Sequence, residues 1–176
     1  RVECQFAFDQ CLRLLFDLGL SRGSPLAHPC LQLLELGVLR CDASRYRHVD
    51  HGIISTDPRQ DMGQRLLEIR KAILAVLKNF APDEAAVETV YFSKNSSSAL
   101  PVAQARGVIL CTLAEKGVPF AEYTPQALKQ AVIGRGKADK KQMQEVMRML
   151  LGLAEPPSPD HAADALAAAF CHASVS

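Results

Sequence analysis

Glu88 is the first residue whose type and position suggest chemistry. It interrupts the run Ala-Ala-Val-Glu-Thr-Val at 85–90, which reads as a short strand. Burying a carboxylate on a strand is costly unless the carboxylate is paired or bound to a metal ion. Glu88 is therefore either a cation ligand or a residue at an exposed strand end.

A second polar group, Asp160, His161 and Asp164, opens the last predicted helix. His161 and Asp164 are three residues apart, so they share one helix face. Alanines surround this pair, which lets a metal ion or a phosphate approach closely. The alternative is a capping Asp160 with a solvated first turn, in which the helix dipole favours Asp164.

Together, Glu88, His161 and Asp164 supply hard oxygen and nitrogen ligands. Such ligands suit Mg²⁺ or Mn²⁺ better than zinc. Two such ions about 4 Å apart can bind both the attacking and the leaving oxygen of a phosphodiester. The three residues therefore indicate a metal-dependent site that acts on a phosphodiester.

Positive charge is concentrated between residues 129 and 148, in a chain whose formal net charge is +1. The basic residues of this segment are Lys129, Arg135, Lys137, Lys140, Lys141 and Arg148. Lysines and arginines on a glycine-rich loop and at a helix start suit phosphate contacts, whereas the alternative is a solvated helical face. Tyr91 and Phe92, just beyond Glu88, would stack on bases if exposed, and core packing is their alternative.

The elements that must position these residues follow from apolar periodicity, capping residues and breakers. We predict helices at 61–80, 98–116, 124–134, 140–151 and 160–172, and strands at 84–90 and 119–123. Residues 44–56 predict two short strands, or a strand and a turn. Alternation of strands and helices indicates an α/β domain with part of its sheet parallel. The first 43 residues resist a periodic assignment.

Composition places the chain among single-domain globular proteins. It has 176 residues, of which 48% are apolar and 22% charged, so a core is available and wholesale disorder is excluded. No apolar run approaches the ~20 residues of a membrane helix, and no secretory signal opens the chain. The 6 cysteines form no Cys-x-x-Cys pair, which argues against zinc and favours reduced thiols. We expect a cytoplasmic protein with no membrane partner.

Over residues 37–176 the sequence resembles the RuvC family of Holliday-junction resolvases. The segments that carry the resemblance are VETVYFSKN at 87–95, AQARG at 103–107, LKQAVIG at 128–134 and HAADALA at 161–167. The resemblance implies a ribonuclease-H-like fold, with a mixed five-stranded sheet flanked by helices. It also implies a homodimeric, Mg²⁺-dependent endonuclease that makes paired nicks in four-way DNA junctions during recombination and repair, with help from RuvA and RuvB.

The resemblance also assigns roles to individual residues. Glu88 matches the family's strand carboxylate, Asp164 its last acidic ligand, and His161 a position where members carry Asp or His. Lys129 and Lys140 match basic positions near the scissile phosphate, and the helix that begins near Ser98 resembles the one that pairs two protomers. The residues we expect to contact DNA are Tyr91, Lys94, Arg106, Lys129, Arg135, Lys137, Lys140 and Lys141.

The start of the chain departs from the family pattern, which opens with a strand ending in Gly-Ile-Asp-Pro-Gly. The Asp of that motif is the family's first metal ligand. The most similar stretch here is FDLGL at 16–20, so Asp17 is the expected ligand if that stretch forms the first strand. Asp9 is a poorer match, because Gln10 and Cys11 follow it. We therefore expect an atypical segment at 1–36, disordered or misread, and a nuclease domain at 37–176 that opens with the second strand at Gly37-Val38-Leu39.

The resulting hypothesis is metal-assisted phosphodiester hydrolysis that leaves a 5′-phosphate and a 3′-hydroxyl. Asp17, Glu88, His161 and Asp164 would hold two Mg²⁺ ions per subunit, with Mn²⁺ as a substitute, while Lys129 and Lys140 hold the phosphate. Two alternatives stay open. One is a junction-binding dimer whose altered start has impaired catalysis, and the other is a ribonuclease-H-like nuclease acting on RNA or RNA–DNA hybrids.

Overall fold

The structure is a computed structural model that describes residues 3–9, 33–42, 45–89, 99–134, 139–158 and 162–175. Its strands are β1 (Glu3–Asp9), β2 (Leu33–Asp42), β3 (Arg45–Ser55), β4 (Glu84–Glu88) and β5 (Phe120–Tyr123). Its helices are α1 (Met62–Phe80), α2 (Ala99–Glu115), α3 (Pro125–Ile133), α4 (Lys140–Leu151) and α5 (Ala162–Val175). None of these helices combines the length and apolarity that a membrane span requires.

The five strands form one mixed sheet in the order β3-β2-β1-β4-β5. β1 pairs antiparallel with β2, and β2 with β3, whereas β1–β4 and β4–β5 are parallel. The prediction of an α/β domain with a mixed five-stranded sheet is confirmed. The parallel strands place the carboxyl ends of β1, β4 and β5 at one edge, which we call the carboxyl edge.

Side chains alternate between two cores, one on each face of the sheet. Leu36, Val38 and Val87 pack with α1 and α2 on one face. Leu39 and Ala86 pack with α3, α4 and α5 on the other, which we call the α5 face. Because strand side chains alternate with a period of two, the residues of β2 from Leu34 onward and those of β4 can be assigned to a face by their register.

Caps confirm the predicted boundaries of α1, α3 and α4. The side chain of Asp61 accepts from the backbone N–H of Gln64 and begins α1. Thr124 caps α3 ahead of Pro125, and Gly134 ends that helix at a φ of 71°. Asp139 begins α4 with a capping box to Gln142. Side-chain acceptors at these positions satisfy backbone donors that no helical carbonyl reaches.

Gly37 allows α5 to lie directly on the sheet. A Cβ at this position would stand 2.9 Å from the backbone nitrogen of Leu166 and 3.1 Å from the carbonyl carbon of Ala165. Any side chain at residue 37 would therefore push the helix away from β2. The close approach explains why the sequence places glycine in the middle of an otherwise bulky strand.

Two expectations about the first part of the chain were wrong. Residues 45–55 form one strand, not two, because a bulge opposite Val38 and Leu39 absorbs Val49 without a turn. The expected domain boundary after residue 36 is also wrong for residues 3–9 and 33–36. These residues form β1 and the start of β2, whose backbone groups complete the centre of the sheet.

Candidate functional site

Glu88 is the last residue of β4, at the carboxyl edge. It shares a face with Ala86, which packs in the core of the α5 face, so its position is on the α5 face as well. Glu88 is half-buried and lies opposite Tyr123, the last residue of β5. A carboxylate here is enclosed by neighbouring elements but is still reachable from the edge of the sheet.

Asp164 lies in the first turn of α5. It is only half-buried, whereas the rest of α5 from Ala162 to His172 is buried between the sheet and α3 and α4. Asp164 therefore places a partly exposed carboxylate at the start of a mostly apolar helix.

The helix and the strand bring Asp164 and Glu88 to the same end of the α5 face. Nε2 of His172, eight residues after Asp164, lies 2.9 Å from Oε2 of Glu84, four residues before Glu88. Eight residues of helix rise about 12 Å, and four residues of strand about 13 Å. Gly37 lies against Ala165 and Leu166, between these two levels, so α5 runs antiparallel to β4. The convergence of the two carboxylates stays a prediction, with which this geometry is compatible.

Two further acidic positions continue this row across the sheet. Asp9 is the last residue of β1, and its register places it beside Glu88, because Phe8 pairs with Val87. Glu35 of β2 pairs with Asp9 and lies on the α5 face, where it is only 2% exposed. From the sequence alone, Asp9 matches the family motif less well than Asp17, and no role is predicted for Glu35. The sequence signal that could have identified Glu35 is a glutamate within the leucine-rich segment 31–36.

Asp17 lies outside the described residues, so its assignment stays a prediction. The strand between β2 and β4 in the described sheet is Glu3–Asp9. Residues 3–9 all pair with β2, and residues 5–8 also pair with β4, so long-range pairing defines this strand. His161, Tyr91, Lys94, Arg135 and Lys137 also lie outside the described residues.

The basic residues that the structure describes are placed on different faces. Lys129 lies on α3 between Leu128 and Val132, which pack against α5, and it is half-buried. Lys140 begins α4 and is half-buried, and Lys141 follows it in an exposed position. These three lysines belong to the helices that cover the α5 face, the face of Glu88.

Arg106 and Arg148 are engaged in ion pairs. Arg106 lies on α2, which packs on the opposite face of the sheet from Glu88, and its guanidinium pairs with Glu122 of β5. Arg148 contacts Glu145 at 2.6 Å. The structure therefore does not bring Arg106 together with Glu88 and Asp164.

The donor set that is described fits a divalent ion in part. Glu88 and Asp164 are half-buried carboxylates, and oxygen ligands of this kind suit Mg²⁺. Within the described ranges, no three His, Cys, Asp or Glu side chains form a group that could hold a metal ion. A complete set of metal ligands therefore requires either a residue from outside those ranges or a movement of the acidic residues Glu35, Asp9 and Glu88.

The family model "Crossover junction endodeoxyribonuclease RuvC" matches residues 27–172 of the chain. The chain belongs to the RuvC family. RuvC of Chloroflexus aggregans is 50% identical over 137 residues, which are 78% of this chain and 84% of that protein. RuvC of Pseudothermotoga lettingae is 42% identical over 147 residues, 84% of this chain and 91% of that protein.

Solved RuvC structures share the fold along nearly the whole chain. RuvC of Thermus thermophilus is 31% identical with a TM-score of 0.77, over 97% of this chain and 93% of that one. The same protein in complex with a Holliday junction substrate gives a TM-score of 0.80 over the same shares. The prediction of a ribonuclease-H-like fold is confirmed. The RuvC match contains Glu35, Glu88 and Asp164 and begins after Asp9 and Asp17.

Proposed function

We propose that this chain is a Holliday junction resolvase that makes paired, symmetric nicks in four-way DNA. The observation that carries the proposal is the placement of Glu88 and Asp164 at one end of the α5 face, inside the range matched by RuvC. Membership of a family of crossover junction endodeoxyribonucleases and the junction-bound Thermus relative support the same activity. The role that follows is DNA recombination and repair in the cytoplasm.

The reaction we infer is hydrolysis of a phosphodiester to a 5′-phosphate and a 3′-hydroxyl. Glu88 and Asp164 would hold Mg²⁺, two ions per subunit or Mn²⁺ in their place, with His161 as a further ligand. When bound, Mg²⁺ activates water as a nucleophile and offsets negative charge on the phosphate. The enclosure of both carboxylates by α5 and the sheet strengthens their attraction for a cation, because the surroundings are less polar than water.

The third acidic ligand is drawn from the row across β1 and β2. Asp9 takes the register position beside Glu88, and Glu35 is the buried carboxylate opposite Asp9. We propose that one or both replace the carboxylate that the family carries at the end of its first strand. Asp17 is the competing candidate for this ligand. Substituting Asp9, Glu35 and Asp17 one at a time distinguishes the three.

The lysines and the chain's second copy complete the proposal. Lys129, Lys140 and Lys141, with Arg135, Lys137 and Lys94, would bind DNA phosphates, and Tyr91 would stack near the crossover. A homodimer would supply two sites related by two-fold symmetry, which matches the arrangement of strands in a junction. RuvA and RuvB are the expected protein partners.

Cleavage and binding of a labelled four-way junction test the proposal together. We expect paired nicks that require Mg²⁺, and Glu88→Gln and Asp164→Asn should each slow nicking about a thousandfold, since a lost metal ligand removes several kcal/mol of transition-state stabilisation. Junction affinity should change little. Glu155→Gln is the matched control, because Glu155 is exposed and precedes α5.

Other results would redirect the assignment. Nicking by Glu88→Gln at the wild-type rate would refute the metal site. Junction binding by the wild-type chain without nicks would identify a catalytically impaired binding dimer. Preferential cutting of RNA–DNA hybrids would identify a different ribonuclease-H-like activity.

A further inference from the structure

A partly buried hydrogen bond joins Tyr123 of β5 to His172 of α5. Tyr123 Oη lies 2.8 Å from Nδ1 of His172, and their rings pack edge to face with centroids 5.8 Å apart. His172 is only 7% exposed. On its far side, Nε2 of His172 lies 2.9 Å from Oε2 of Glu84, at the start of β4.

These three residues connect the elements that carry the site. Tyr123 lies opposite Glu88 in the pairing of β5 with β4, and Glu84 shares a strand and a face with Glu88. His172 and Asp164 lie on the same helix. A hydrogen bond between Tyr123 and His172 therefore constrains the position of α5 along β4 and β5.

The chemistry of the three groups is mutually consistent. Burial raises the pKa of the Tyr123 hydroxyl, with further contributions from Cys171 and Glu84, so the hydroxyl keeps its proton and can donate. An imidazole that accepts this proton at Nδ1 carries its own proton on Nε2, which is the nitrogen nearest Glu84. The contact between Nε2 of His172 and Glu84 is electrostatic, whereas the hydrogen bond between Tyr123 and Nδ1 of His172 is directional.

The other contacts of α5 with the sheet are apolar. The helix is buried through alanines at 163, 165, 167, 168 and 169 and through the larger Leu166 and Phe170. Apolar packing has no preferred direction, whereas a hydrogen bond requires its donor and acceptor to be aligned. The hydrogen bond between Tyr123 and His172 therefore adds a directional constraint on the position of the helix.

We propose that Tyr123 and His172 are positioning residues, whose hydrogen bond sets the position of Asp164 relative to Glu88 for divalent-metal binding. The proposal rests on the proposed function for its consequence in catalysis, but its effect on metal affinity is measurable without catalysis. Neither residue contacts the reacting phosphate in this scheme. Both act through the two carboxylates.

Tyr123→Phe tests the proposal, because it removes one oxygen and keeps the ring. We expect Mn²⁺ affinity, measured by electron paramagnetic resonance titration of the whole protein, to fall about tenfold, within the 10–100-fold range seen when residues supporting metal ligands are changed. The Mg²⁺ concentration for half-maximal nicking should rise by a similar factor, with junction affinity unchanged. Tyr46→Phe is the matched control, since Tyr46 also packs its ring on α5, against Phe170.

A second pair of variants separates positioning from folding. His172→Asn keeps a polar atom near the place of Nδ1 and should retain most of the Mn²⁺ affinity, whereas His172→Leu should lose it as Tyr123→Phe does. Wild-type Mn²⁺ affinity in Tyr123→Phe, or equal losses in both His172 variants, would overturn the proposal. If the wild-type chain nicks junctions and Tyr123→Phe matches it, positioning fails and the function stands. If the wild-type chain does not nick, the function fails, and the Mn²⁺ titrations still decide the positioning.

Discussion

At the scale of single residues, the acidic row across β2, β1 and β4 is the feature with the most consequence. Glu35 is 2% exposed, and a carboxylate with that burial is stable only with compensating partners. Its register partner Asp9 ends the strand beside β4. The row therefore supplies the candidates for the third ligand of the proposed metal site.

Three substitutions identify that ligand. We expect Asp9→Asn and Glu35→Gln each to slow nicking of a four-way junction by about a hundredfold, because a metal site with one fewer anionic oxygen binds its ion more weakly. Asp17→Asn should stay within about twofold of the wild-type rate, a change too small to reflect a lost ligand. A large loss of nicking rate in Asp17→Asn alone would instead identify Asp17 as the first metal ligand.

A second prediction at this scale concerns stability. Arg65 is 2% exposed, and its Nε donates to Oγ1 of Thr56 at 3.1 Å. Thr56→Val keeps the shape but removes the acceptor, so the free energy of unfolding should fall by about 1–3 kcal/mol. Urea denaturation measures the change, with the exposed neighbour Ser55→Ala as the control. An unchanged midpoint in Thr56→Val would show that Arg65 does not depend on this bond.

At the scale of elements, the distance between α5 and the sheet depends on Gly37. In Gly37→Ala, the new methyl group would meet the backbone of Leu166 and Ala165, so the helix must move. We expect a loss of about 1–3 kcal/mol in unfolding free energy, together with slower nicking, because Asp164 moves with the helix. Gly52→Ala in β3 is the matched control, since no atom lies within 4 Å of its added methyl group. Equal effects of the two substitutions would contradict the close approach.

The bulge in β3 produces a pH-sensitive contact. By absorbing Val49, it places His48 and His51 on the same face, with Nε2 of His48 2.7 Å from Nδ1 of His51. Nε2 of His51 lies 3.0 Å from the carbonyl oxygen of Ser158, in the segment that leads to α5. The strand is thereby connected to the approach to the last helix.

Acidification should weaken this contact. Burial lowers the pKa of His48 from its ordinary 6.5, with help from His51 and against the effect of Asp50. The unfolded chain therefore takes up the proton first, so the stabilisation is present above about pH 6.5 and is lost as pH falls through the lower folded pKa. The melting temperature should drop more between pH 7 and 5 in the wild type than in His48→Gln. If the melting temperatures of the wild type and His48→Gln fall equally with pH, His48 is not the cause of the acid sensitivity.

Local signals in the sequence predicted most of these elements, and long-range pairing decided the rest. Asp61, Thr124 and Gly134 predicted where helices begin or end, because caps act within one turn. Glu88 and Asp164 were predicted as site residues because each breaks an apolar pattern. The strand 3–9 could not be identified, because its assignment depends on partners 26 to 38 residues away in β2 and 79 residues away in β4.

At the scale of the whole molecule, the exposed side of α2 suggests how two copies meet. Small or apolar residues follow that side at helical spacing and are exposed, namely Leu100, Ala103, Gly107, Cys111 and Ala114. Leu100 is 68% exposed, which is unusual for a leucine on an ordered helix. This surface is the one we expect to pair in the proposed homodimer.

Replacing Leu100 with a charged residue tests that surface. We expect Leu100→Asp to raise the dimer dissociation constant at least tenfold in sedimentation experiments, since a buried aspartate costs more than 1.4 kcal/mol. The two nicks of a junction should then become uncoupled. Leu67→Asp on α1 is the matched control, because Leu67 is a 41% exposed leucine on another helix. A wild-type dimer constant for Leu100→Asp would place the interface elsewhere.

The burial of α5 also bears on how the protein is made. α5 is the last of the described helices in chain order, yet it covers the face of the central strands, which are synthesised earlier. While the ribosome is still translating residues 162–175, the α5 face of the nascent sheet lacks the last of its covering helices, and the proposed partner of Glu88 is not yet in place. An incomplete nascent chain would therefore be both prone to aggregation and unable to cut DNA, so the activity becomes available only when synthesis has reached the end of this helix.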